Sequence, residues 1–384
     1  NLLTDGVYNY ASCPTTEIIC MSYAVDYGPV LRWLPGDPVP KCFHEADTYH
    51  AWNAAFERLM FECILTPDHG FPDIQLEEWR CTMFKSACNN MPAALGNAAR
   101  CLNVEVQKQK RGRELIKLLC LPLADNTFNT DPELLQEMYS YCDDDVGAEM
   151  GCDKQLREPT TEEWADYHAQ ERINDRGILV DLQIASGAQT YAEEEERDLI
   201  RQIQAVTQGE VLKARGEKLK AWVLDRITPD QEKLLVKYRG GERKLSLDKY
   251  NRGRLLACDD LDPDVAEVVE CSDFAQKSSV GKFKAMQRLA DPEDGRVRGA
   301  ILCNGAPASG RYSSRGLQLH NMPRMVMDDP EEVKLDLVDN IMAEDMVSYY
   351  ELPMMTILSR MLRSAIIPED GKQFLVSDWS AIEG

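Results

Sequence analysis

The sequence predicts a multidomain fold that is mixed α/β in its first part and mostly helical after it. Three observations favour this class: the length of 384 residues, the hydrophobic content of 44%, and a change of pattern near residue 160. A chain of this length can bury two or three separate cores. No apolar run approaches the roughly 20 residues that a membrane helix needs, so we expect no membrane span.

The first 160 residues alternate short apolar runs with segments of helical periodicity. The runs Glu17–Ala24 and Pro29–Leu34 predict two adjacent strands, separated by a turn at Asp26–Gly28. Helices are predicted near residues 46–64, 83–104 and 131–150. Strands and helices in this alternation indicate a mixed α/β domain.

From Thr161 the sequence becomes more charged and mostly helical. The helical pattern of residues 161–175 breaks at the short apolar run Ile178–Val180 and then extends over residues 182–290. After a turn, three further elements are predicted: a strand at 296–302, an amphipathic helix at 345–366 and a closing strand at 373–378. These changes divide the chain into segments 1–160, 161–290 and 291–384.

Charge is unevenly distributed along the chain. The net charge is −22, yet residues 211–254 hold 13 Lys and Arg against 6 Asp and Glu, and residues 271–324 hold 9 against 4. Two basic blocks in an acidic chain favour a localised anionic partner, although any single lysine in them is more typical of a solvated helix face. The 13 cysteines are irregularly spaced without a Cys-x-x-Cys pair, which predicts reduced thiols rather than disulfides or a zinc site.

Two carboxylates continue apolar stripes on predicted helices. Met138 and Tyr141 lie on one face of the 131–150 helix, and Asp145 is the next residue on that face. Glu57 occupies a similar position beside Met60. Acids from separate elements, without His or Cys partners, favour Mg²⁺-assisted phosphodiester hydrolysis over zinc chemistry. The alternative is that each is a surface acid on a helix of uncertain phase.

Two further segments concentrate functional residue types. Residues 309–324 carry Arg311, Arg315 and Arg324 among glycines and a proline, and they predict a basic loop that approaches phosphate. At the end of the chain, an apolar strand leads to Asp378, and Glu383 completes a predicted capping box. A carboxylate at a strand end is suited to hold Mg²⁺ against phosphate.

Together, these segments resemble family A (Pol I-like) DNA polymerases of the bacteriophage type. The resemblance implies that residues 1–160 form an RNase H-like 3′–5′ exonuclease domain whose first strand is missing. Residues 161–290 would form the helical thumb, and residues 291–384 the first part of an antiparallel palm that ends in motif A. The chain begins with Asn and ends within this motif, so we expect a fragment.

The resemblance also assigns roles in the exonuclease half. The string Tyr141-Cys-Asp-Asp-Asp145 matches the family's third exonuclease motif, Tyr-x-x-x-Asp, and Asn53-Ala-Ala-Phe-Glu57 resembles the second, with Glu57 where aspartate is common. In the family these acids bind two metal ions and the tyrosine orients the attacking water. The first motif, Asp-x-Glu, is absent, so we expect little or no exonuclease activity from this chain alone.

In the polymerase half, Asp378 matches the aspartate that binds both catalytic metals, and Glu383 the glutamate that excludes a 2′-hydroxyl. Arg311 corresponds to the arginine that reads the minor groove near the primer terminus, and Asn321 to a residue that contacts template or primer. Further DNA contacts are implied for Ser313, Arg315, Arg324, Lys277 and Lys282.

The implied function is template-directed DNA synthesis with proofreading in phage replication. The implied partners are primer–template DNA and deoxynucleoside triphosphates, the cofactor is Mg²⁺, and the location is the cytoplasm of a bacterial host. Later polymerase motifs are missing, so the fragment is expected to bind DNA at most. Two alternatives are a non-catalytic DNA-binding module and a stand-alone 3′–5′ exonuclease.

Overall fold

The structure is a computed structural model that describes residues 2–109, 111–125, 127–239, 241–277, 279–307 and 309–377. The chain divides into two compact units. The first contains the residues up to Ile178 together with Arg288–His320, and the second contains Leu179–Gln287 and the residues from Asn321 onward. This grouping differs from the segments 1–160, 161–290 and 291–384, so the three-domain division stays a prediction.

The described residues form a mixed α/β chain, as expected. The elements within residues 2–179 are α1 (Leu2–Ala11), β1 (Met21–Tyr23), β2 (Leu31–Trp33), α2 (Cys42–Glu45), β3 (Tyr49–Ala51), α3 (Ala54–Met60), α4 (Thr66–His69), β4 (Trp79–Cys81), α5 (Thr82–Cys88), α6 (Leu95–Cys101), α7 (Gly112–Leu119), α8 (Pro132–Gln155), α9 (Thr161–Arg176) and β5 (Ile178–Leu179). A π-helical turn, Phe61–Leu65, joins α3 to α4.

The remaining elements follow in chain order. They are α10 (Leu182–Val206), α11 (Glu217–Leu224), α12 (Pro229–Leu234), β6 (Val236–Arg239), β7 (Glu242–Leu245), α13 (Lys249–Leu256), α14 (Pro263–Ala275), α15 (Gly281–Leu289), β8 (Arg296–Val297), β9 (Ile301–Ala306), β10 (Arg311–Ser314), α16 (Pro330–Val338), α17 (Ala343–Tyr350) and α18 (Met354–Met361). None of the helices within the described ranges has the length and apolarity to span a bilayer.

The sheets are small and two-stranded. In the first unit, β1 and β2 pair antiparallel with Met21 opposite Trp33, which confirms the predicted pair of adjacent strands. Strands β3 and β4 pair parallel, and β9 and β10 pair antiparallel. In the second unit, β6 and β7 form an antiparallel hairpin inside a region that was predicted to be helical with loose turns.

Local sequence explains where the two helices that matter most for the site begin. Asp131 caps α8, since its carboxylate accepts hydrogen bonds from the backbone amides of Glu133 and Leu134. Thr160 and Glu163 form a capping box at the start of α9, with each side chain bound to the other residue's backbone amide. Helix α9 then packs into an aromatic cluster through Trp164 and Tyr167, whereas Met138 of α8 packs with Leu115 and Leu119.

Each unit has its own core. An aromatic cluster in the first unit brings together Trp33, Phe43, Phe61, Phe71 and Trp79, whose rings meet mostly edge to face. The second unit has an aliphatic core, in which α10 packs against α14. Its fully buried members include Ile203, Leu235, Leu255, Val265 and Val268.

Two expectations about local structure were wrong. Arg311 and Ser313 were expected in a loop, but they lie on strand β10, because a turn with Gly310 at φ +66° brings this segment back along β9. Residues 373–377 were expected to begin a closing strand, but they form no regular element, and Leu375 is 98% exposed. No strand within the described residues pairs with this segment, so its apolar side chains stay in water.

Candidate functional site

The 24-residue helix α8 carries four polar side chains at intervals of four residues: Tyr141, Asp145, Glu149 and Asp153. Residues four apart lie on the same face of an α-helix. Tyr141, Glu149 and Asp153 are each at most 9% exposed, so this face points into the first unit. We call these four residues the α8 polar stripe. Its first two members were predicted from the sequence. The last two were missed, although the same spacing continues to them.

Lys108 contacts the first two members of the stripe. Its ammonium forms an ion pair with Oδ2 of Asp145 and donates a hydrogen bond of 2.7 Å to the hydroxyl oxygen of Tyr141. Burial alone would lower the pKa of Lys108, but its hydrogen bonds to these two groups raise the pKa above the ordinary value. Lysine only donates hydrogen bonds, so the Tyr141 hydroxyl keeps its own proton for donation. Sequence reasoning missed Lys108, which lies on no predicted element.

Gly112, the first residue of α7, makes room for the Tyr141 ring. A Cβ atom at position 112 would lie 2.3 Å from Cε2 of Tyr141 and 2.8 Å from its hydroxyl oxygen. Real Cβ contacts do not reach these distances, so a larger residue would have to displace either the ring or the helix. The glycine therefore leaves the space in which the tyrosine ring lies beside Lys108.

Glu57, on α3, faces the stripe from a separate element. Burial is the largest cause that raises the pKa of Glu57, to about 8, and the negative charges of Glu149 and Asp145 raise it further. The three carboxyl groups are thus close enough for their charges to interact. Oε2 of Glu57 and Oδ1 of Asp145 are both buried and have no hydrogen-bond partner among the residues that the structure describes.

Glu149 lies one turn beyond Asp145. Its Oε1 accepts a hydrogen bond of 2.5 Å from the Thr82 hydroxyl. Burial raises the pKa of Glu149 to about 7, although the hydrogen bond from Thr82 opposes this shift. Near neutral pH, this group and Glu57 therefore both hold protons in part, which reduces the repulsion around Asp145.

Asp153, at the end of the stripe, is ionised and well compensated. Its Oδ1 accepts a hydrogen bond of 2.9 Å from Lys85, and its Oδ2 accepts one from the Tyr27 hydroxyl. Burial would raise the pKa of Asp153, but hydrogen bonds from His50, Tyr27 and Lys85 hold it well below the ordinary value. A carboxylate with this many donors braces the helix and is poorly suited to bind a metal ion.

A cavity of about 590 Å³ adjoins the stripe. Its lining includes Tyr27, His50, Glu57, Glu149 and Asp153. Its volume is within the range of small-ligand sites. The lining therefore combines aromatic and imidazole rings with carboxyl groups.

The donor set near Asp145 matches Mg²⁺ only in part. In the described ranges, no three His, Cys, Asp or Glu side chains are arranged to hold a metal ion. However, the two orphaned oxygens, on Glu57 and Asp145, are carboxylate donors of the type that Mg²⁺ prefers. Glu57 and Asp145 are thus close enough for their charges to interact, and metal binding by this pair stays a prediction.

The arginine-rich segment lies partly in the first unit. Arg311 is exposed on β10, and Ser313, on the same strand, lies opposite Leu302 of β9. Gly305 lies so close to the Ser313 hydroxyl that a Cβ atom there would approach it to 2.0 Å. Arg315 instead forms a contact within the protein, because its Nε donates a hydrogen bond of 2.9 Å to the Gly299 carbonyl.

Four predicted DNA contacts fall in the second unit. Asn321 and Arg324 are exposed. Lys277 is held internally, since its ammonium donates a hydrogen bond of 2.7 Å to the Thr356 hydroxyl, and burial lowers its pKa. Lys282 is only 9% exposed, and burial likewise lowers its pKa. These two lysines are thus less accessible to a phosphate backbone than the sequence suggested. Asp378 and Glu383 lie outside the described residues.

Comparison with known proteins shows similarity to a phage DNA polymerase. No protein-family model matches the chain. The chain is 29% identical, over 405 aligned residues, to a DNA polymerase of Bacillus phage SP02. The alignment covers all of this chain and 58% of that polymerase. The chain therefore spans somewhat less than three-fifths of the length of this curated relative, and the similarity extends through both units.

Proposed function

We propose that this chain is part of a phage-type DNA polymerase that carries out template-directed DNA synthesis. The observation that carries this proposal is the similarity to the polymerase of Bacillus phage SP02 along the entire chain. A nucleotidyltransferase of this kind acts on primer–template DNA and deoxynucleoside triphosphates, in the cytoplasm of a bacterial host. The mixed α/β chain with its large helical part is consistent with it.

The finer assignment is to family A. It is supported by the string Ser309-Gly-Arg-Tyr-Ser-Ser314 and by His320-Asn-Met-Pro323, which resemble the family's Thr-Gly-Arg and Gln-Asn-x-Pro elements. Under this assignment, residues 1–160 are an RNase H-like exonuclease domain, 161–290 the thumb, and 291–384 the start of the palm. Asp378 would hold the catalytic metal ions, and Glu383 would exclude the 2′-hydroxyl of a ribonucleotide.

We further propose a proofreading 3′–5′ exonuclease centre at the α8 polar stripe. Glu57 and Asp145 would hold Mg²⁺ through their orphaned oxygens. Bound Mg²⁺ would supply an activated water and charge neutralisation at the scissile phosphate. Lys108 holds Oδ2 of Asp145, which leaves Oδ1 for the metal side. The neutral Tyr141 hydroxyl keeps a proton with which to orient water or a phosphate oxygen.

This centre has too few ligands for efficient chemistry. Two metal ions that clamp the attacking and leaving oxygens need more oxygen donors than two carboxylates provide. We therefore expect the 384-residue chain to shorten single-stranded DNA slowly or not at all, even when Mg²⁺ is present. Arg311, Asn321 and Arg324, which are exposed, would provide the DNA contacts.

Primer extension tests the proposal. The protein translated from the whole reading frame that contains this sequence should incorporate nucleotides in a template-directed, Mg²⁺-dependent manner. An Asp378→Asn variant should lose incorporation, whereas Asp370→Asn, which changes an exposed acid nearby, should retain it. DNA binding without extension would instead support a non-catalytic binding module. Degradation without extension would support a stand-alone exonuclease.

A further inference from the structure

The β6–β7 hairpin of the second unit exposes an aromatic ring among cationic side chains. Tyr238, on β6, is 73% exposed, and Arg243 on β7 lies directly opposite it. Residues opposite each other on paired strands have their side chains on the same face of the sheet. At the base of that face, Leu245 packs against the aliphatic core, so Tyr238 and Arg243 continue the face beyond the core into solvent.

The other face of the hairpin is cationic. Lys237 and Lys244 are directly opposite each other, and each side chain is about 60% exposed. Like charges in directly opposed positions destabilise a hairpin. Lys237 forms an ion pair with Asp248 at 2.9 Å, and Lys244 forms one with Glu242 at 3.3 Å. Exposed ion pairs of this kind contribute little and exchange readily for another anion.

A second exposed tyrosine lies on the helix that follows the hairpin. Tyr250, on α13, is 73% exposed, and the guanidinium of Arg254 lies 5.7 Å from its ring centroid. The helix is tied to the hairpin, because the Asn251 amide donates hydrogen bonds to the carbonyls of Leu235 and Ser246. The two tyrosines are thus held on one locally braced substructure.

We propose that this hairpin and the start of α13 bind single-stranded DNA by stacking bases on Tyr238 and Tyr250. Base–aromatic stacking combined with a cationic surface is how proteins bind single strands without reading sequence. Duplex DNA offers its phosphates but keeps its base faces covered, so it cannot use the tyrosine rings. The inference rests on the proposed function, since a DNA polymerase works on a template with an unpaired strand. We assign the contact with this unpaired strand to the hairpin and the start of α13.

Binding of a fluorescein-labelled oligo(dT) of about 20 nucleotides to the full 384-residue chain, measured by anisotropy, tests the proposal. A Tyr238→Ala/Tyr250→Ala variant should bind at least about 30-fold more weakly, because two base stacks are lost. Its affinity for a blunt duplex of equal length should change by less than about twofold. The Tyr238→Phe/Tyr250→Phe variant, which keeps both rings, should retain the single-strand affinity. Both tyrosines are exposed, so neither change removes core packing.

Two controls sharpen the result. Tyr349→Ala removes another exposed tyrosine of the second unit, on α17, and should leave oligo(dT) binding unchanged. Lys237→Gln/Lys244→Gln should reduce the magnitude of the slope of log K against log salt, for oligo(dT) binding, by about 0.7 for each lysine. Unchanged oligo(dT) affinity in the alanine variant, or an equal loss for single strand and duplex, would overturn the proposal. Primer extension would be unaffected by that outcome, so the proposed function would stand.

Discussion

Lys108 donates a hydrogen bond of 2.7 Å to the hydroxyl oxygen of Tyr141, across 33 positions of the sequence. The same ammonium is paired with Asp145, so one cation holds both residues of the predicted Tyr-x-x-x-Asp motif. Asp145 is thereby fixed through Oδ2 while Oδ1 stays without a partner among the described residues. In a metal site, groups that orient a ligand in this way are nearly as important as the ligand itself.

Replacement of Lys108 by methionine should destabilise the first unit and loosen Asp145. The pair is about one-quarter to one-third exposed, so we expect a loss of about 1–2 kcal/mol in the free energy of unfolding. Urea unfolding at neutral pH measures it. Lys117→Met, which changes an exposed lysine on α7, is the matched control and should have little effect. Equal stabilities of the two variants would show that Lys108 does not hold the stripe.

Gly112→Ala should disturb the position of Tyr141, because Gly112 borders the tyrosine ring. The added Cβ would lie 2.3 Å from Cε2 of Tyr141, so we expect a loss of about 1–3 kcal/mol in the free energy of unfolding. The control is Gly96→Ala on α6, where the nearest atom would be Cβ of Lys108 at an ordinary 3.5 Å. That change should be neutral or slightly stabilising, because alanine favours helix. A destabilisation shared by both variants would exclude the contact with Tyr141 as its cause.

Periodicity alone allowed part of this site to be predicted. The spacing of Met138, Tyr141 and Asp145 placed one carboxylate on an inward face, and the structure has that face. Continuation of the interval of four would also have pointed to Glu149 and Asp153. By contrast, Lys108 precedes Asp145 by 37 positions and belongs to no periodic segment, so no local pattern could pair them.

Stability should fall as pH rises through the range in which Glu57 and Glu149 titrate. Their pKa values are raised from the usual 4.5 to about 8 and about 7, respectively. Between these limits the folded protein binds more protons than the unfolded chain, so the free energy of unfolding decreases with increasing pH. Glu57→Gln should reduce this decrease between about pH 5 and about pH 8, because an amide does not ionise.

Urea titrations of the two proteins across that pH range provide the measurement. Glu45→Gln, at an exposed position outside the helices that carry Glu57 and Glu149, should keep the slope of the unsubstituted protein. A Glu57→Gln variant whose stability falls just as steeply with pH would show that burial of this carboxyl group does not cause the effect.

Two basic residues of the second unit show how long-range packing limits a prediction from sequence. Lys277 and Lys282 were expected to contact DNA because the family resemblance implies backbone contacts at these positions. Lys277 instead reaches the Thr356 hydroxyl, 79 positions later, and Lys282 is buried. Local sequence records charge but not which long-range packing will cover it. The exposed Tyr238 was missed for the same reason, since the region was predicted to be helical and the hairpin was not foreseen.

Arg311 and Arg315 are four residues apart, but we expect Arg311 to contribute to DNA binding and Arg315 to contribute to stability. Arg311 is exposed on β10, whereas Arg315 donates a hydrogen bond of 2.9 Å to the Gly299 carbonyl. Arg311→Gln should weaken binding of primer–template DNA and reduce the steepness of the dependence of log K on log salt by about 0.9. Arg315→Gln should lower the free energy of unfolding by about 1 kcal/mol, since the Gly299 carbonyl loses its donor.

Anisotropy titrations with a labelled primer–template at two or more salt concentrations measure the first effect, and urea unfolding measures the second. Arg315→Lys serves as a further comparison, because it keeps the charge but loses the guanidinium Nε donor. It should retain the salt slope while sharing the lower stability of Arg315→Gln. If Arg311→Gln instead kept the full salt slope, β10 would not be a phosphate-binding strand, and the DNA contacts would have to be sought at Asn321 and Arg324 of the second unit.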